Sequence, residues 1–138
     1  MTTAKNILYT ALVHTTGGRQ GTAHSPDGRL DIILSSPGSG GSGTNPEQLF
    51  AAGWSACFEG AMGLAARKMD ITLPPGVSIE AEVNLCRNDD GYFLRATLNV
   101  SVPGLQREVA QSLVDTAHQT CPYSKAIRGN VDVSIYLV

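Results

Sequence analysis

The sequence predicts an α+β fold in a single domain spanning residues 1–138, with elements in the order β-β-β-α-β-β-α-β. Short segments in which apolar and polar residues alternate surround two longer segments with helical periodicity. Turns rich in Gly and Pro separate these segments, and no linker is long enough to divide the chain. A length of 138 residues with 42% hydrophobic residues suits one domain with a packed core, so disorder is not expected.

Three short strands are expected in the N-terminal third. Residues 5–14 alternate apolar and polar side chains, and a second strand is expected over residues 19–25, after the Gly17-Gly18 turn. Apolar residues at every second position over residues 30–34 predict a third strand. The following Ser- and Gly-rich segment, residues 35–43, is interpreted either as a flexible surface loop or as the mobile wall of a site.

A long apolar helix is expected after this segment. Asn45 is a good N-cap, Pro46 suits the first helical position, and Gln48 completes a capping-box pattern. The sequence is then apolar on nearly every side up to Arg67, with one charge at Glu59, which predicts a helix buried on most of its faces. A single small domain can hardly surround such a helix, so we expect a partner subunit. The expected architecture has antiparallel sheets around this central helix.

The second half of the chain predicts a hairpin, a second helix and a final strand. Residues 77–85 and 92–102 alternate as half-buried antiparallel strands joined by a tight turn. A helix beginning at Gly104 should end before Pro122, because proline disfavours helical conformation in the residue that precedes it, and a short helical turn should restart there. A last strand is expected over residues 131–135.

Composition excludes several classes of function. The net charge is −2 and the basic residues are scattered, so no surface for nucleic acid is expected. The N-terminal residues MTTAKNILYT lack the apolar core of a signal peptide, and no uninterrupted apolar stretch approaches the roughly 18 residues of a membrane span. Three cysteines are too few for a disulfide scaffold and fit a reducing, cytoplasmic location.

The three cysteines are the candidates for chemistry. Cys57 lies about midway along the apolar helix, where a buried cysteine is most often a core residue. Cys121 precedes Pro122, where backbone N–H groups can stabilise a thiolate, and it continues the inward stripe of the second helix. The residues alone therefore leave a redox pair and simple core packing both open. Cys86 falls on the polar face of its strand and is expected to be a bystander.

Two other site types are weaker. His118 and Cys121 have an HxxC spacing, but a closed zinc site needs four ligands and usually a second paired spacing. The remaining candidate ligands show no such pairing: His14, His24, Cys57 and Cys86. The sequence therefore predicts no metal, and the absence of a GxSxG segment disfavours a serine hydrolase.

Two long segments resemble a known family. GTNPEQLFAAGWSACF (43–58) and HQTCPYSKAIRGN (118–130) are similar to the signature segments of the organic hydroperoxide resistance proteins, the Ohr branch of the Ohr/OsmC superfamily. TTGGRQG (15–21) and SPDGRL (25–30) match as well, so the resemblance covers essentially the whole chain. Trp54 stands where another aromatic residue such as tyrosine is expected.

The resemblance implies an Ohr/OsmC-like fold, an intertwined homodimer with two active sites near the subunit interface, and a peroxidase. It implies a peroxidatic cysteine at Cys57, a resolving cysteine at Cys121, and an Arg–Glu pair at Arg19 and Glu47. Burial raises the pKa of a cysteine, so the thiolate needs a cation, which Arg19 would supply while Glu47 holds its guanidinium.

The resemblance also implies the substrate and the partners. Alkyl or fatty-acid hydroperoxides would be reduced without a bound cofactor, and the dihydrolipoyl group of a lipoylated protein would restore the dithiol. The expected substrate-binding side chains are apolar: Leu49, Phe50, Trp54, Phe58 and Met62. The alternatives are an OsmC-branch peroxidase and a non-enzymatic thiol sensor or apolar-ligand carrier.

One geometric condition accompanies the Arg–Glu expectation. Glu47 and Cys57 are ten residues apart, which is ~15 Å along a continuous helix. Glu47 therefore cannot reach the sulfur of its own helix. Either Arg19 lies between the two residues, or Glu47 comes from a partner subunit, or the helix breaks near Gly53.

Overall fold

The computed structural model describes residues 5–138, and the chain forms two compact units, divided between Pro46 and Glu47. The first unit contains a three-stranded antiparallel sheet in the order β1-β2-β3. Its strands are short: β1 (His14–Thr16), β2 (Thr22–His24) and β3 (Asp31–Ile33). Three N-terminal strands are present, as predicted, but the first is shifted to the end of its predicted range and the other two are shorter than predicted.

The first predicted strand, residues 5–14, is wrong except at His14. Alternation marks a strand only where a neighbouring strand is present to pair with it, and within residues 5–138 the segment 5–13 joins no sheet. Its apolar side chains are accordingly exposed, as at Leu8. The second strand begins at Thr22 rather than at Arg19, because Gly17 and Gly18 take positive φ angles and lead into a 3-10 turn.

The second unit contains three helices and three strands. Helix α1 (Pro46–Lys68) begins at the predicted proline, and the elements that follow are β4 (Ser78–Asn88), β5 (Gly91–Ser101), α2 (Arg107–Thr120), α3 (Pro122–Ile127) and β6 (Asp132–Leu137). The second helix starts at Arg107 instead of Gly104, because Gly104 has a positive φ of 89° and belongs to the preceding turn. The predicted restart at Pro122 is confirmed as α3.

The sheet of this unit has the order β4-β5-β6. Strands β4 and β5 form the expected antiparallel hairpin, closed by the pair Asn88–Gly91. Strand β6 instead runs parallel to β5, so the prediction of antiparallel sheets does not hold for this pair. The reason is the connection: α2 and α3 carry the chain back along the sheet before β6 begins, as a parallel crossover requires.

One side of α1 belongs to the core of the second unit. The buried side chains of α1 recur at helical spacing: Trp54, Phe58, Ala61, Met62, Ala65 and Ala66. Most of them cluster with inward residues of β5 and α2, among them Leu98, Val114 and Ala117. The opposite side of α1 is exposed and apolar in the single chain, with Leu64 retaining 56% of its surface.

Among residues 5–138 one helix, α1, has the length and composition of a membrane span. The expectation that no span exists was based on uninterrupted apolar runs, whereas α1 is apolar on average over a sufficient length although Glu59 interrupts it. The core helix of a globular protein passes the same test. The burial of Trp54, Phe58 and Met62 against the sheet and α2 favours that interpretation.

Candidate active site

The structure brings Cys57 and Cys121 together. The two Sγ atoms are 3.3 Å apart, and both thiols are free. Cys57 lies on α1, beside the buried side of the helix, and remains partly accessible, whereas Cys121 is completely buried. The residues on their own left this pairing open, and the geometry supports a dithiol ready to form a bond.

The position of Cys121 follows from a break between two helices. Its backbone N–H donates to the carbonyl of Ala117, 2.8 Å away, and completes the last turn of α2. Its own backbone is extended, with φ −60° and ψ 123°, and Pro122 occupies the first position of α3. Proline disfavours a helical conformation in the preceding residue, so the chain turns at Cys121 and points its sulfur at α1.

The pKa of Cys57 is raised above its ordinary value of 9.0. The main cause is burial, which disfavours the thiolate, and the adjacent Cys121 thiol raises the pKa further. The backbone N–H of Tyr123 donates a hydrogen bond to Cys57 and opposes both effects. In the second unit alone the thiol form is favoured, so a nucleophile at neutral pH requires additional positive charge.

Helix α3 is held against α1 by contacts that the sequence analysis did not predict, and two of the residues involved, Tyr123 and Ser124, were not singled out there. The indole Nε1 of Trp54 donates to the Ser124 hydroxyl at 3.1 Å, with both side chains fully buried. Phe50 makes an edge-to-face contact with the ring of Tyr123, at 6.3 Å between centroids. Gly53 makes room for this ring, because a Cβ there would lie 2.7 Å from the Tyr123 hydroxyl oxygen.

A signal for these residues was present in the sequence. Gly53 and Cys57 are four residues apart and lie on one face of α1, and Tyr123 and Ser124 directly follow the Cys121-Pro122 pair. A short helix that begins at Pro122 can therefore lay its first residues along the preceding turn of α1.

The five predicted substrate-binding residues differ in exposure. Trp54, Phe58 and Met62 have no accessible surface, and they pack in the core. Phe50 is half-buried in the same cluster as Cys57, and Leu49 keeps 36% of its surface. Leu49 and Phe50 thus offer apolar surface to a ligand. The other three side chains pack α1 against the core of the second unit. The substrate-binding role of this group stays a prediction.

Arg19 and Glu47 belong to different units. Arg19 lies in the 3-10 turn Gly18–Gln20 of the first unit and is exposed. Glu47 lies in the first turn of α1 and is half-buried. Helix α1 runs without a break through Gly53, so the third of the three alternatives, a break near Gly53, is excluded. The Arg19–Glu47 pairing stays a prediction.

Metal ligands are not clustered in the part of the chain that the structure describes. Within residues 5–138, no group of three or more His, Cys, Asp or Glu side chains is arranged to hold a metal ion. The sulfur of Cys121 faces Cys57, and burial, with a smaller contribution from Arg128, lowers the pKa of its HxxC partner His118.

Comparison with known proteins identifies the family. The OsmC-like protein family matches residues 38–136, a range that includes both paired cysteines. An organic hydroperoxide resistance protein of Xanthomonas axonopodis pv. citri (strain 306) is 48% identical over 141 residues, covering 99% of each chain. The chain belongs to the Ohr branch of the Ohr/OsmC family.

Solved structures of the Ohr/OsmC family share the fold. The crystal structure of OhrB from Bacillus subtilis has a TM-score of 0.90 at 46% identity, covering 96% of this chain and 100% of that one. A Vibrio cholerae structure with captopril bound in one of its active sites has a TM-score of 0.90 at 36% identity, covering 98% and 95%. The Ohr/OsmC-like α+β fold expected from the sequence is thereby confirmed.

Proposed function

We propose that this chain is a thiol-dependent peroxidase that reduces organic hydroperoxides to alcohols in defence against oxidative stress. The observation that carries the proposal is the 3.3 Å separation of the Cys57 and Cys121 sulfurs, with Cys121 at the junction of α2 and α3. Membership of the organic hydroperoxide resistance proteins supports organic hydroperoxides as the substrate class. Cys57 is the nucleophile because it retains accessible surface, whereas Cys121 has none.

The proposed reaction has three steps. The Cys57 thiolate attacks the outer oxygen of ROOH, the O–O bond breaks, and the alkoxide leaves as the alcohol after taking a proton, which gives a Cys57 sulfenic acid. The Cys121 thiol then attacks the Cys57 sulfur, water leaves, and a Cys57–Cys121 disulfide forms. A dithiol reductant reduces this disulfide by thiol–disulfide exchange and is itself oxidised to a disulfide.

The proposed reductant is the dihydrolipoyl group of a lipoylated protein. Captopril, which a Vibrio cholerae relative holds in one of its active sites, is itself a thiol compound, and this supports a site that admits small thiols. We also propose a cytoplasmic location, because three cysteines are too few for the disulfide scaffold typical of small secreted proteins.

We assign the activation of Cys57 to Arg19, oriented by Glu47. Burial raises the pKa of Cys57, and the hydrogen bond from the Tyr123 N–H opposes this only in part. A guanidinium stays protonated at every relevant pH, and a nearby cation favours the thiolate. A bidentate contact from the Glu47 carboxylate would fix the guanidinium in one orientation.

Arg19→Ala is expected to move the alkylation of Cys57 to higher pH. Without the cation, burial is the largest remaining influence and acts to raise the pKa, so half-maximal reaction with iodoacetamide should shift upward by about one pH unit or more. Peptide mass spectrometry of the Cys57 peptide gives the rate at each pH.

Arg29→Ala is the matched control for this experiment. Arg29 is another exposed arginine of the first unit, and it lies 3.9 Å from Asp27. Its removal should leave the Cys57 profile unchanged. Identical profiles for Arg19→Ala and the unaltered protein would remove Arg19 from the activation of Cys57.

Turnover tests the function itself. The purified protein should consume cumene hydroperoxide or tert-butyl hydroperoxide with dihydrolipoamide as reductant. The apolar surface of Leu49 and Phe50 should favour these substrates over hydrogen peroxide. No consumption of any organic hydroperoxide above the reductant-only background would argue for a sensor or an apolar-ligand carrier instead.

We also propose that the working form is a homodimer. The side of α1 that is exposed in the single chain is apolar: Leu49, Ala52, Ala56, Gly60 and Leu64. Such a continuous apolar strip, beside the paired cysteines, needs a cover in water. Sedimentation at micromolar concentration should give twice the mass of the 14.5 kDa chain. A stable folded monomer would rule this assembly out.

A further inference from the structure

At the α2–α3 junction, the backbone carbonyl of His118 has no N–H partner within the helix. In a continuous helix the N–H of residue 122 would donate to the carbonyl of His118. Residue 122 is proline and has no N–H, so this acceptor at the end of α2 is left open. The Arg128 guanidinium fills the place, with Nη2 donating to the His118 carbonyl oxygen.

Arg128 is bound to both helices. Its backbone N–H donates to the carbonyl of Ser124 at 3.0 Å and closes α3, while its side chain reaches back to the last turn of α2. A guanidinium is a charge-assisted donor, and a cation at a helix C-terminus also opposes the negative end of the helix dipole. The contact therefore fixes the angle between α2 and α3 about Cys121.

The two groups of the second unit that act on Cys57 lie between His118 and Arg128 in the chain. Between His118 and Arg128 the chain presents the Cys121 sulfur, 3.3 Å from the Cys57 sulfur, and the Tyr123 N–H, which donates to Cys57. Pro122 releases the Tyr123 N–H for this purpose, because the helix does not continue across Cys121. Arg128 thus supplies the hydrogen bond that Pro122 cannot donate, and it does so at the ends of the segment that carries the Cys121 sulfur.

We propose that Arg128 is a positioning residue for the resolution step, through its hydrogen bond to the His118 carbonyl. It touches neither substrate nor sulfur. It sets how often Cys121 is aligned when Cys57 is a sulfenic acid, and so determines the partition between the disulfide and over-oxidation by a second hydroperoxide. The over-oxidation part of this inference rests on the peroxidase cycle proposed above, whereas the alignment of the two sulfurs does not.

The test uses two oxidants on the full-length protein. Diamide takes two electrons and two protons from a dithiol and becomes a hydrazine, so it reports the alignment of the sulfurs without any peroxidase chemistry. In Arg128→Ala, formation of the Cys57–Cys121 disulfide by diamide should slow about fivefold or more. With cumene hydroperoxide, the ratio of Cys57 sulfinic acid to disulfide should rise by a similar factor. Both products are counted by mass spectrometry.

Two matched variants are measured alongside Arg128→Ala. Lys125→Ala removes an exposed cation from the same helix and should behave as the unaltered protein. Arg128→Lys keeps a donor and a charge and should restore part of the diamide rate. Because Arg128 is exposed, the Ala variant should fold, and its thermal midpoint is recorded alongside.

The outcomes separate this inference from the proposed function. Equal diamide rates for Arg128→Ala and the unaltered protein overturn the positioning role. Equal slowing in Lys125→Ala overturns it too, because the effect would then be one of general charge. If the unaltered protein forms the disulfide with diamide but does not consume organic hydroperoxide, the proposed function fails while the diamide comparison still decides the role of Arg128.

Discussion

Replacing Cys57 by serine is expected to reduce hydroperoxide consumption to the rate of the reductant alone, a loss of about 10³-fold or more. A serine hydroxyl is not ionised at neutral pH, so it cannot replace the thiolate as nucleophile. Cys121 cannot substitute for Cys57 either, because its sulfur is fully buried. Turnover of cumene hydroperoxide with dihydrolipoamide measures the loss.

Cys86→Ser is the control for this substitution. Cys86 lies on β4, opposite Phe93, and its thiol is free, like those of the other two cysteines. Its replacement should leave turnover within a factor of about two. Substantial activity in Cys57→Ser, or loss of activity in Cys86→Ser, would transfer the peroxidatic role to another residue.

Replacing Cys121 by serine is expected, when no dithiol is present, to limit the protein to one hydroperoxide consumed per Cys57 that is trapped as sulfenic acid. A second hydroperoxide is consumed wherever that sulfur is carried on to sulfinic acid. Without a thiol 3.3 Å away, the sulfenic acid has no partner within reach. Mass spectrometry should find one or two oxygen atoms added to the Cys57 peptide, and a dithiol should restore only the sulfenic form.

The disulfide pattern of the unaltered protein provides the complementary measurement. Peroxide treatment should yield the Cys57–Cys121 link. A Cys57–Cys86 link in its place would contradict the assignment of the resolving cysteine.

The second unit was more predictable from sequence than the first, for a physical reason. Its strands and helices bury one face within the same unit. Alternation at Ile79, Ala81 and Val83, and a proline at the first helical position, Pro46, therefore suffice to find them. Residues 5–13 show the same alternation, but within the described chain they join no sheet. A pattern of side chains does not reveal whether a neighbouring strand exists.

The candidate site was predictable only in part. Pro122 predicted the turn that aims Cys121 inward, because its effect on the residue before it is local. The contacts that hold this turn join residues far apart in sequence, such as Trp54 with Ser124 and Gly53 with Tyr123. Periodicity identifies the face on which each residue lies, but it does not identify the residue that it meets.

The hydrogen bond between Trp54 and Ser124 also gives the protein an intrinsic fluorescent probe near the cysteines. Trp54 is the one tryptophan in the sequence, so all indole emission comes from a single ring. That ring is fully buried, and its Nε1 is bound to α3, three residues beyond Cys121. A change at the cysteine junction that alters this bond alters the polarity around the indole. We therefore expect fluorescence to report in real time, without any label, any oxidation of the thiols that changes this hydrogen bond.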